Sequence, residues 1–137
     1  MVTPSPWALW TLNFQLLMAV MAKVAPQIRE LHLEMKEFFL LAEVDAHPNP
    51  ADLARVLMLP KPSVTFMVKR LEAAGYLRRE LQRSDLRRFH LTLTTPGRKA
   101  MERARAILDR AFGDRLESLT PTQRATFGRL LEQLAAG

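Results

Sequence analysis

Eight Lys and Arg side chains fall between residues 61 and 88: Lys61, Lys69, Arg70, Arg78, Arg79, Arg83, Arg87 and Arg88. Ammonium and guanidinium groups at this density suit charge neutralisation of a polyanion, with phosphate the natural counterpart. The wider distribution supports this. Residues 61–105 hold twelve basic against four acidic side chains, residues 1–60 hold four against six, and residues 106–137 hold four against four. The whole +6 surplus therefore sits in the middle third. A solvated basic face without a partner is the plain alternative.

Other chemistries find little support. The absence of cysteine excludes disulfides, Cys-ligated zinc, iron–sulfur clusters and thiol redox sensing. His32, His47 and His90 lie on different segments with no metal-ligand spacing. No nucleophile–base constellation and no glycine-rich phosphate loop is present, so neither an enzyme nor a cofactor is expected. With 137 residues, 48% hydrophobic and 25% charged, the chain suits one globular domain in a reducing cytoplasm.

The elements that would carry the basic residues follow from periodicity. Trp10, Phe14, Leu17, Met21, Val24 and Ile28 are spaced 4, 3, 4, 3, 4, which predicts a helix over about 5–28, ended or kinked near Pro26. Leu9, Leu12, Leu16 and Val20 widen its apolar arc, so the helix is either central to the core or one half of a subunit interface, and the interface is expected. Residues 7–22 are uncharged and apolar. They are shorter than a spanning helix needs and lack the basic flank of a signal peptide, so no membrane role is expected.

A second helix is predicted over about 31–45. Asn49 as cap and Pro50 at the first helical position open a third, through about Leu57. After "MLPKP", Val64, Met67, Val68 and Leu71 share one face of a fourth helix, which Gly75 terminates. Two short helices joined by a tight turn form a helix-turn-helix, whose second member enters the major groove. The runs 76–82 and 88–94 have strand character around a charged connector, a hairpin or wing. Thr95 as cap and Pro96 open a long helix bearing Ala100, Met101, Ala104, Ile107, Leu108, Ala111 and Phe112. Thr120 and Gln123 form a capping box for the last.

This order resembles the MarR family of winged helix-turn-helix transcriptional regulators. "LARVLMLPKPSVTFMVKRLEAAGYLRR" is similar to that family's helix-turn-helix, and "SDLRRFHLTLTTPG" to its wing, with Asp85 and Arg87 in an Asp-x-Arg tip and Leu93, Thr94 and Gly97 in Leu-Thr-x-x-Gly. The resemblance implies a mainly α fold with a small β-hairpin wing. One domain, 1–137, would hold a winged helix-turn-helix over about 31–95 and terminal dimerisation helices over about 5–28 and 96–137. It also implies a homodimer on a pseudo-palindromic operator, with release by small aromatic or phenolic ligands in many members. The chain departs from the pattern at Pro60, Pro62, Phe66 and Met58, which replaces a glycine common in that turn. Pro62 disfavours helical geometry at Lys61, so a start one residue late is expected.

Double-stranded DNA is thus the expected partner. On the face opposite the buried one, Pro62, Ser63, Thr65, Phe66 and Lys69 meet bases or phosphates, with Phe66 or the Thr65 methyl against a thymine methyl. Lys61 and Arg70 are phosphate candidates, and Arg70 has an internal carboxylate as its alternative. One of Arg78 and Arg79 faces the duplex. Arg87 enters the minor groove or grips phosphate, Asp85 orients it, and Arg83 and Arg88 add phosphate contacts. Trp10, Phe14 and His32, with Trp7, are candidates for an aromatic ligand pocket; a plain core or dimer interface is the alternative. The competing function is a winged-helix protein-interaction module without specific DNA binding.

Overall fold

The computed structural model describes the backbone of residues 1–82 and 85–137, and side chains outside 82–88. Four helices open on a side chain that accepts from their first-turn amides: Ser5, Asn49, Thr94 and Thr120. Each satisfies an amide that has no partner within its helix. Among the described residues the order is α1 (Pro6–Arg29), α2 (Met35–Glu43), α3 (Pro50–Leu57), α4 (Lys61–Ala73), β1 (Leu77–Gln82), β2 (Asp85–Leu93), α5 (Thr95–Leu116) and α6 (Pro121–Ala135).

The core gathers Val24 and Ile28 of α1, Phe38, Leu40 and Leu41 of α2, Leu53 of α3, Val64, Val68 and Leu71 of α4, and Ala100 and Ala104 of α5. α1 and α2 pack on α5, and α3 on α4. Leu77 and Leu91 bring the hairpin onto this core, and Leu91 N–H donates to the Pro48 carbonyl at 2.8 Å.

Several boundaries differ from expectation. α1 continues through Pro26 to Arg29, because fully buried Val24 and Ile28 hold its last turns on the core despite the missing amide. α2 starts at Met35 rather than 31. His32 sits in the left-handed region (φ 60°) and breaks the helix there. The cap of α5 is Thr94, not Thr95: its Oγ1 accepts from Gly97 N–H at 3.1 Å and donates to the Gly75 carbonyl. β2 starts at Asp85, three residues before the expected 88.

The N-terminal half of α1 and all of α6 lie outside the core. Trp7, Trp10, Phe14 and Leu17 are 75%, 59%, 50% and 55% exposed, and α6 has no buried residue. By length and composition α1 is apolar enough to cross a membrane, a test the 7–22 run was expected to miss; its inner end packs in the core.

Candidate nucleic-acid interface

α3 ends on Met58, which adopts the left-handed conformation (φ 54°, ψ 43°) where glycine is at ease. The chain then reverses, and the Pro60 carbonyl accepts from Ser63 and Val64 to start α4. Lys61 is helical, so α4 does not begin late. Pro62 falls in the first turn, where its missing amide costs no intrahelical bond. At the other end Tyr76 N–H bonds the Leu71 carbonyl and Gly75 N–H that of Glu72. With Gly75 at φ 81° this is the Schellman closure that the terminating glycine announces.

Val64, Met67, Val68 and Leu71 bury one face of α4, while Lys61, Pro62, Ser63, Thr65, Phe66 and Lys69 are exposed on the other. Six of the expected contact residues therefore share one accessible surface. Within it the Thr65 hydroxyl donates back to the Lys61 carbonyl at 3.0 Å, and Phe66 is 70% exposed.

Arg70 is on neither face. Its Nε and Nη2 donate to the two carboxylate oxygens of Glu37, and Nη2 also reaches the His32 carbonyl at 3.0 Å. Glu37 is buried and additionally accepts from Glu34 N–H at 2.7 Å. The bonds to Glu37 raise the Arg70 guanidinium above its ordinary value against opposing desolvation, so it stays charged. Of the two roles weighed for Arg70, the structure displays the internal one: it ties α4 to the start of α2 and is not a free phosphate ligand.

In the hairpin Leu77 pairs with Leu93, Arg79 with Leu91 and Leu81 with Phe89, while Arg78 pairs with Thr92 and Glu80 with His90. Alternation separates the two arginines. Arg79 turns back, donating to Glu72 of α4 at 2.6 Å and lying 4.5 Å from the Phe89 ring centre. Arg78 stays on the polar face beside Glu80 at 2.9 Å. Arg83 lies outside the described residues, as do the side chains of Asp85, Arg87 and Arg88, whose backbone belongs to β2. The orientation of Arg87 by Asp85 is thus an expectation about side chains outside the described set.

The aromatic pocket does not assemble within the chain. Phe14 and His32 are separated by most of α1, fifteen residues of which rise about 22 Å, and Trp10, Phe14 and His32 are all exposed. A different cleft of 390 Å³ opens between α1, α2 and α4, with Met35, Phe66 and Met67 as apolar walls, Arg29, Lys36 and Arg70 as cations and Glu34 and Glu37 as carboxylates.

Beyond the expected residues, Glu37 and Glu72 prove to hold the interface in shape. The Glu34/Glu37 spacing at a helix start is a local hint of the first, whereas nothing near Glu72 announces Arg79.

Residues 33–88, from the turn before α2 into the wing, match the model of the MarR family. The HTH-type transcriptional repressor Rv2887 of Mycobacterium tuberculosis is 31% identical over 116 residues, 83% of this chain and 84% of that protein. The chain belongs to the MarR family. The structure of MarR family protein Rv2887 in complex with salicylic acid has a TM-score of 0.75 at 29% identity, covering 98% of this chain and 99% of that one. A mutant MarR from Escherichia coli complexed with operator DNA has a TM-score of 0.77 at 22% identity, covering 92% of each chain, and shows the shared winged-helix fold. The α3–α4 pair and hairpin of this MarR-family chain are accordingly its helix-turn-helix and wing.

Proposed function

We propose that this chain is a cytoplasmic homodimeric repressor that binds double-stranded DNA sequence-specifically at a pseudo-palindromic operator. The observation that carries the reading is the exposed face of α4, with Lys61, Ser63, Thr65 and Lys69, next to a hairpin whose sequence is rich in arginine, in a MarR-family chain. Lys61 and Lys69 supply phosphate or guanine contacts, and Arg78, Arg83, Arg87 and Arg88 extend the basic surface from the wing, Arg87 toward the minor groove. The exposed apolar side chains of α1 and α6 form the dimer interface, so α1 faces a partner subunit rather than lipid. Its role is regulation, not catalysis.

A small aromatic acid is the proposed releasing ligand. Support comes from the relative's salicylic acid complex and from the cleft beside the Arg70–Glu37 pair, whose apolar walls suit a ring and whose Arg29 and Lys36 suit its carboxylate. A mobility shift on the region upstream of its own gene tests the DNA reading, comparing wild type with Lys69→Ala and Arg87→Ala. Weaker, salt-sensitive binding by both variants supports it; equal binding by all three at every salt concentration sinks the interface. The second reading, a protein-interaction module, draws on the apolar Pro62 and Phe66 at the α4 surface, and absence of salt-dependent affinity for any duplex would favour it.

A further inference from the structure

Resting on the proposed DNA binding, we infer that α4 reads its operator mainly through thymine methyl groups, with Phe66 as the specificity-determining side chain. Pro62, Thr65, Phe66 and Lys69 stand at i, i+3, i+4 and i+7, a single stripe of α4, and all are exposed. The most selective hydrogen-bonded readout comes from planar, two-pronged side chains: arginine on guanine, asparagine or glutamine on adenine, with lysine, serine and threonine less discriminating. No asparagine or glutamine occurs in α4, and its one guanidinium, Arg70, is held on Glu37 and the His32 carbonyl. Lys69 brings a point charge without a planar fork.

What remains at the centre of the stripe is apolar. Pro62 has no side-chain donor, and the Thr65 hydroxyl proton is committed to the Lys61 carbonyl, leaving a methyl and an acceptor. Phe66 exposes 70% of its surface at a position where a soluble helix gains nothing from a ring in water. In the major groove the C5-methyl of thymine is the apolar feature that distinguishes A·T and T·A from G·C pairs. A ring flanked by a proline and a threonine methyl matches that feature, so each half-site carries thymines facing Phe66.

Uracil-substituted DNA isolates the effect, because deoxyuridine keeps every Watson–Crick group and removes only the methyl. A duplex enriched by the full-length protein from a random pool is resynthesised with deoxyuridine replacing thymidine one position at a time, and affinities are measured against salt. Wild type is expected to lose about fourfold per critical methyl, in line with burial of one such group, at one or two positions per half-site. Phe66→Ala is expected to bind thymine and uracil duplexes alike, with an unchanged salt slope because no phosphate contact is removed. Salt-dependent binding by wild type with less than a twofold change at every uracil position would overturn methyl readout while leaving DNA binding intact. No salt-dependent binding to any duplex would overturn both.

Discussion

The Arg70 guanidinium closes on the Glu37 carboxylate, joining the recognition helix to the start of α2 across 33 residues of sequence. The carboxylate is buried and its partner part-exposed, with side-chain exposures of 4% and 41%. The two groups therefore contribute unequally. Leaving Glu37 without its cation strands a buried charge, whereas Arg70 retains access to water.

Arg70→Ala is accordingly expected to destabilise the fold by about 2 kcal/mol, less than a fully buried pair because water enters where the guanidinium stood. Urea titration checks this. Arg70→Lys is expected to recover only part of the loss, since one ammonium cannot reproduce the two-pronged contact.

Gly97 lies where a Cβ would come 2.0 Å from the Tyr76 backbone carbonyl. That carbonyl also accepts Thr94 N–H at 3.1 Å, a bond that holds it against the start of α5. Gly97→Ala is expected to cost about 3 kcal/mol through forced separation of α5 from the wing. In contrast Gly113→Ala, with nothing within 4 Å of the new Cβ, is expected to raise stability by about 1 kcal/mol. Thermal unfolding of the pair reads both signs at once.

Met58 holds a left-handed backbone (φ 54°) while its side chain is 90% exposed. Replacing it with glycine relieves about 1–2 kcal/mol of strain and returns about 0.5–1 kcal/mol to the entropy of the unfolded chain. Met58→Gly is thus expected to raise the unfolding midpoint slightly, with DNA affinity unchanged.

Leu17 and Leu134 are 55% and 76% exposed within one chain. Aspartate at either position is expected to leave the fold of the chain intact and to shift the particle toward monomer mass in light scattering. A wild-type protein already at monomer mass would contradict the interface role of α1 and α6.

Much of this architecture was legible because its signals are local. Asn49 before Pro50, and Thr120 three residues before Gln123, cap α3 and α6 as the sequence suggests. Gly75 stops α4 in the left-handed turn that its residue type favours. Phe89, Leu91 and Leu93 share the hairpin face that packs on the domain. Signals failed where tertiary packing overrode a local preference. Pro26 did not end α1, because Val24 and Ile28 are anchored around it; Pro62 did not delay α4 for a local reason, since it falls in the first turn, where no amide is needed. Pairings between separate elements were not legible: nothing in the order of residues joins Arg70 to Glu37, 33 residues away, or Arg79 of β1 to Glu72 of α4, seven residues before it. Trp10, Phe14 and His32 are not brought together within one chain, since Phe14 and His32 are separated by most of the length of α1.

Selection of bound fragments from a random duplex pool tests the central claim most directly. A dimer presenting two copies of α4 is predicted to enrich an inverted repeat, its half-site centres about one helical turn, roughly 34 Å, apart. Enrichment of no sequence, or of an asymmetric one without a repeated half-site, would contradict it.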